Sequence, residues 1–191
     1  MDKGRLEAFS DGVLAIIITI MVLEFRAPEQ GTLSALYPLL PKLGSYILSF
    51  IFVGIYWNNH HHLWQAVEKV QGSVLWANLH LLFWLSLIPF ATSWMGQNNF
   101  STMPVALYGV VLWMTALAYF LMVRALMSYH DKDSLLMKAL GDGRKERISL
   151  ILYSAAIPLA FFRPWIAMLF YVTVAAMWLI PDRRIEDKIT E

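Results

Sequence analysis

Long apolar runs separated by short polar breaks dominate the chain. No Asp, Glu, Lys or Arg lies between Lys42 and Glu68, between Lys69 and Arg124, or between Arg163 and Asp182. Uncharged stretches of that length point to membrane spans. The stretch from Val70 to Val123 is too long for one helix and breaks at GQNNFSTMP (Gly96 to Pro104), which is rich in turn formers. Six spans are therefore expected, at about 4–25, 43–66, 74–95, 104–127, 147–162 and 164–181. The last two turn over at FFRPW and should form an antiparallel hairpin. Pro89 and Pro158 fall inside spans and should kink them, which membrane helices tolerate when neighbours satisfy the freed carbonyls. The polar segment Ser128–Arg147 contains a short amphipathic stretch, Ser134 to Leu140, suited to the membrane interface. The predicted fold is all-α: one polytopic six-helix membrane domain over residues 1–191.

Composition agrees with this pattern. The chain is 58% hydrophobic and 15% charged, with a mean hydropathy of +0.53. A net charge of +1 carries no nucleic-acid signal, and zero cysteines exclude disulfides and thiolate metal sites. Lys and Arg set the orientation. With a cytoplasmic N-terminus, all of them fall in inside segments except Arg26, Lys42 and Arg163. This positive-inside bias supports an even number of spans and places both termini in the cytoplasm. Five spans, with the first run interfacial, would spoil it. Trp57, Trp64, Trp76, Trp94, Trp165 and Trp178 lie near span ends and are expected to anchor at the interface.

The first run poses a length problem. Only twelve residues, Gly12 to Leu23, separate Asp11 from Glu24, about 18 Å of helix against a hydrocarbon core of about 30 Å. A helix capped by Ser10 or Asp11 would be too short to cross. A helix starting near Gly4 is long enough and carries Asp11 inside the span. At about 100° per residue, Arg5, Phe9, Gly12, Thr19 and Leu23 share a face with Ile16. Ser10, Asp11, Leu14 and Ile18 lie opposite. An ionisable group at that depth is costly unless paired, so Asp11 should find partners within the protein.

The residues RLEAFSDGVLAIIITIMVL resemble the R-x-x-x-F-S-D signature that opens the first helix of the transmembrane protein 175 family of lysosomal and prokaryotic potassium channels. WNNHH, ending the second span, and NLHLLFWLSLIPF, in the third, are similar to that family as well. The resemblance implies a single-repeat subunit that assembles as a homotetramer, with four first helices around the ion path. Ile16 would then form an apolar constriction, Thr19 a ring of hydroxyls and Leu23 a second apolar ring, with Gly12 keeping the helix slim below. Arg5, Phe9, Ser10 and Asp11 carry over as the signature, tying the helix to its own subunit. Arg5, nearer the pore face, is alternatively placed to tune cation entry.

WNNHHHLW invites a metal reading, but His60, His61 and His62 are consecutive and diverge by about 100° each, so they cannot share one metal on one helix face. No metal site and no cofactor is expected. Instead one of His60 and His61 is expected to hydrogen-bond Asp11 or Ser10, with Asn78 and Trp57 nearby. His80, alone on an apolar span, is expected to serve packing. The chain lacks the TVGYG filter, so any conduction passes side-chain rings, and an apolar constriction gates by dewetting. The expected function is a potassium-permeable, leak-type channel in the cell (inner) membrane, not an enzyme. Its partners would be copies of itself, lipid and monovalent cations. Two competing readings are a membrane-embedded metal-dependent hydrolase using Asp11 and the His60–His62 cluster, and a secondary transporter, for which no convincing internal repeat is visible.

Overall fold

The computed structural model describes residues 3–67, 70–129 and 143–179. The interfacial segment Ser134–Leu140 and the basic residues Lys69, Lys132, Lys138, Arg183, Arg184 and Lys188 lie outside the described residues. The elements are α1 (Lys3–Leu23), a 3-10 helix (Leu33–Leu39), α2 (Leu40–Gln65), α3 (Gly72–Ser86), α4 (Ile88–Gln97), α5 (Thr102–Met127), α6 (Arg144–Phe162) and α7 (Pro164–Leu179), and no strand occurs among the described residues. By length and composition, α1, the 3-10 helix with α2, α3 with α4, and α5 are each able to cross a membrane. The remaining pair is shorter. α6 opens on Arg144, Lys145, Glu146 and Arg147, and α7 has 16 residues.

Local chemistry explains the breaks. The expected third span is two helices rather than one kinked helix. Pro89 has no N–H to donate to the carbonyl of Leu85, and the chain tightens at Leu87, whose N–H bonds Trp84 O at 3.2 Å. α4 then ends at a left-handed pair, Asn99 (φ 49) and Phe100 (φ 56). The N–H of Phe100 returns to Met95 O at 3.0 Å. α6 and α7 meet at the extended residue Arg163, and the following Pro164 starts α7 at a position where its missing N–H costs nothing.

α5 is the centre of the bundle and packs against α3, α4, α6 and α7. α1 packs on α2, α3 and α4. Two glycines permit the closest approaches. Any Cβ at Gly96 would lie 2.8 Å from Lys42 Cα, so α4 can sit directly against α2. At Gly109 a Cβ would collide with the hydroxyl of Tyr171, which reaches across from α7 to donate to Val105 O at 3.1 Å. The core also holds a paired polar cluster in which the Ser49 and Tyr108 hydroxyls bond at 2.9 Å and Thr92 Oγ1 donates to Ser49 at 2.6 Å. One tryptophan departs from the expected interfacial role. Trp76 and Trp165 are exposed, whereas Trp64 is wholly buried and its indole N–H is bonded inside the bundle. Nearness to a span end does not tell which face of the helix a residue occupies.

Gly109→Ala is expected to lower thermal stability by about 1–3 kcal/mol, the range for overpacking a tight helix contact. Gly54→Ala, where nothing lies within 4 Å of the added carbon, should instead gain about 0.5–1 kcal/mol from helix propensity. Parallel melting curves of the two variants in detergent check the pair.

Candidate pore helix and its anchoring network

The sequence of α1 divides it into two faces. Leu6, Ser10, Leu14, Ile17 and Met21 are buried at helical spacing. Phe9, Gly12, Ile16, Thr19 and Leu23 are exposed, Ile16 at 58% and Leu23 at 77%. Thus the edge expected to hold Gly12, Ile16, Thr19 and Leu23 is the edge that the protomer leaves uncovered. Thr19 Oγ1 donates to Ile16 O at 2.9 Å, so its proton is engaged and its lone pairs face outward. Ile17, not Ile18, completes the buried stripe; Ile18 is only partly buried.

Beside this edge a groove of about 610 Å³ runs between α1 and the α3–α4 span. Ile16, Ile20 and Glu24 line one wall, and Phe90, Ser93 and Gln97 line the other. Its polar end is a short relay in which Gln97 Nε2 donates to Ser93 Oγ at 2.7 Å and Ser93 Oγ donates to Glu24 Oε2 at 2.8 Å. Composition and spacing did not flag Ile20 or Glu24. The i, i+4 repeat Ile16–Ile20–Glu24 is the signal that points to them.

The opposite face is held by hydrogen bonds. Ser10 Oγ donates to Leu6 O at 2.9 Å and accepts from Asn78 Nδ2 at 2.9 Å. Asn78 Oδ1 lies 2.8 Å from His60 Nε2, which also receives the Trp64 indole N–H at 2.7 Å. Ser10, Asn78 and His60 are all buried. The histidine therefore reaches Ser10 only through Asn78, and neither His60 nor His61 bonds Asp11, contrary to the expected direct contact. Asp11 Oδ1 accepts from Trp57 Nε1 at 3.1 Å, and Trp57 stacks on His61. His61 Nδ1 pairs with Glu7 at 3.0 Å. Sequence reasoning passed over Glu7, although it lies one turn before Asp11. Lys3 Nζ caps α2 from below, donating to Val67 O at 3.0 Å. His80 accepts the Trp84 indole N–H at 2.9 Å, a local packing bond.

Arg5 and Phe9 fall outside this network. Both are exposed, on the same side as Ile16. The expectation that the whole signature ties the helix to its own subunit fails for these two, because their azimuth turns them away from α2 and α3.

His60 has an arithmetic problem. Neutral imidazole offers one donor and one acceptor nitrogen. If Nε2 accepts from Trp64, it cannot also donate to Asn78 Oδ1, and the proton sits on Nδ1, which is buried without a partner. If Nε2 donates to Asn78, the indole N–H loses its acceptor. One tautomer leaves Nδ1–H and Asn78 Oδ1 unpaired, the other the Trp64 N–H and the Nδ1 lone pair, and each stranded group costs about 1–3 kcal/mol.

Among the described residues no group of three His, Asp, Glu or Cys side chains is placed to hold a metal. The anchoring bonds hold one helix in position, and the uncovered edge has no nucleophile or acid–base pair. Among the described residues the chain is all-helical, with four runs long and apolar enough to cross a membrane.

Comparisons with known proteins identify the family. The family described as "Endosomal/lysosomal potassium channel TMEM175" matches residues 5–89. The chain is 56% identical to a potassium channel of Chryseobacterium sp. over 191 residues, 100% of both chains. It is 33% identical over 126 residues to a potassium channel of Streptomyces collinus, covering 62% of this chain and 61% of that one. The crystal structure of a lysosomal potassium-selective channel TMEM175 homolog from Chamaesiphon minutus superposes with a TM-score of 0.78 at 25% identity, covering 93% of this chain and 96% of that one. The chain belongs to the TMEM175 family. It is an integral membrane channel protein and not an enzyme.

Asn78→Ala should destabilise the fold by about 2–4 kcal/mol, because it strands Ser10 and His60 at once in a dry site. Ser10→Ala, which removes one hydroxyl, should cost about 1–2 kcal/mol. Thermal melts of both variants test this, and equal losses would show that Asn78 is not the bridge.

Proposed function

We propose that the chain forms a homotetrameric, leak-type, potassium-permeable channel in the bacterial inner membrane, with four copies of α1 around a central path and both termini in the cytoplasm. One observation carries this reading. An apolar helix edge, Gly12–Ile16–Thr19–Leu23, stays exposed while the other face of the same helix is pinned by buried hydrogen bonds. One helix cannot enclose a path, so the edge requires copies of itself. The relatives named as potassium channels support the permeant ion.

In this arrangement Ile16 forms the narrowest ring. An apolar ring offers no oxygen to replace water of hydration, so passage selects for the ion that sheds water most easily, and potassium sheds it more easily than sodium. Thr19, about one turn further on, turns acceptor lone pairs toward the path and compensates part of that loss. Leu23 adds a second dry ring. Gly12 widens the path before the constriction. Arg5, exposed below this edge, places a positive charge at the cytoplasmic mouth, where it slows cation entry.

Flux of potassium and sodium into liposomes tests the assignment. Ile16→Asn should raise total flux and bring the two rates closer together. Unchanged flux and selectivity would remove Ile16 from the path. Asp11→Ala is the matched control. It should lower stability while leaving selectivity near that of the unaltered protein.

A further inference from the structure

Glu24 follows the last residue of α1 and stays on its helical track, because the N–H of Phe25 returns to Val22 O at 3.1 Å. It is exposed, and it forms the polar end of the groove beside the uncovered edge. Glu7 and Asp11 sit toward the opposite end of α1, where His61 and Trp57 hold them. Glu24 is thus the acid that stands just past Leu23.

Its carboxylate is fixed in place. A serine hydroxyl has one proton, and Ser93 gives that proton to Glu24 Oε2 while its oxygen accepts from Gln97 Nε2. Both donors therefore point the same way, toward the carboxylate, and hold it against α4. A carboxylate offers about four acceptor positions, so the bond from Ser93 leaves room for solvent and ions. Lys42 borders a small space beside Glu24, but among the described residues the two form no ion pair. Direct contact therefore does not cancel the charge.

Glu24 lies about 12 Å along the helix from Ile16 and about 80° around it. The side chain flanks the edge and does not project from its centre. A helix with its side chains is about 10–12 Å across, so in a ring of α1 helices the carboxylate stands on the order of 10 Å from the axis. At that range it does not replace water on a passing ion. It acts through its field, which reaches about 8 Å at physiological salt and about 30 Å at 0.01 M.

We propose that Glu24 sets the supply of cations at the mouth opposite Arg5, where its copies form a fixed negative ring ahead of the apolar constriction. Ser93 and Gln97 are its positioning residues. This rests on the tetrameric reading above and divides the work of one helix. A charged mouth gathers ions, and a dry ring chooses among them. Rings of acidic side chains raise the local cation concentration, and the gain fades as salt screens them. Potassium and sodium carry the same charge, so the ring favours neither.

Single-channel conductance in planar bilayers with symmetric KCl tests the role. Glu24→Gln keeps an oxygen acceptor for Ser93 and removes only the charge. Relative to the unaltered protein, its conductance should fall about fivefold at 0.01 M, about twofold or less at 0.15 M, and not at all at 1 M. Glu24→Asp should restore most of the low-salt conductance. The potassium-to-sodium permeability ratio should stay unchanged in Glu24→Gln. Ile16→Asn should lower that ratio and keep the low-salt advantage. No deficit in Glu24→Gln, or an equal deficit at all three concentrations, would overturn the role of Glu24 and leave the constriction standing. A changed permeability ratio in Glu24→Gln would also overturn it, by making the side chain an ion ligand. An unaltered protein that passes no potassium would overturn the channel reading itself, and this role with it.

Discussion

The rotation of α1 about its own axis is the constraint on which the rest of the structure depends. A membrane helix has no hydrophobic reason to prefer one azimuth, because lipid tails are as apolar as its side chains. Hydrogen bonds supply the preference instead. Asn78 reaches Ser10 from α3, and Trp57 reaches Asp11 from α2. At the far end Ser93 holds Glu24. The two anchors are about 20 Å apart along the helix. Between them Leu14, Ile17 and Met21 only have to pack. A turn of about 100°, one residue's worth, would pull Ser10 off Asn78 and bring Ile17 to the edge now held by Ile16.

This division explains why a costly polar cluster persists in a hydrocarbon setting. Buried polar groups tend to specify an arrangement more than they stabilise it. Here the arrangement specified is the azimuth of α1, which decides the side chains on its exposed edge. The unpaired nitrogen on His60 fits this view. The site contains an imidazole, an amide and an indole that cannot all be satisfied in either neutral tautomer. It is a point of local conflict at the base of the helix whose azimuth it helps to set.

Much of this was legible in the sequence, and the exceptions have physical reasons. Charge gaps and the GQNNFSTMP break mark the helical runs, because both signals are local. The two faces of α1 follow from helical periodicity with Ile16 as reference. Partner identity did not follow in the same way. Ser10, Asn78 and His60 were grouped, but the order of the chain depends on side-chain reach across three helices, and Asn78 proved to be interposed. Glu7 carries no signal in the sequence pattern, and Glu24 marks only the charged limit of the first apolar run, because an acid at a span end looks solvated. Trp64 was assigned to the interface by its depth, while its azimuth buries it. Arg5 and Phe9 were grouped with Ser10 and Asp11 by proximity in sequence, which a helix does not preserve.

The family resemblance and the physics converge on α1 by independent routes, and the difference between them is informative. Motif similarity identifies Arg5, Phe9, Ser10 and Asp11 as one unit. The geometry divides that unit, with two residues turned inward to hydrogen-bond donors and two outward beside Ile16. Among the described residues neither Arg5 nor Phe9 packs into the bundle, and both are exposed. A positively charged guanidinium is expensive in hydrocarbon, and Arg5 stands in the first turn of α1, where its side chain reaches the aqueous interface. The outward half of the motif therefore continues the exposed edge that carries Ile16, while the inward half holds that edge in place.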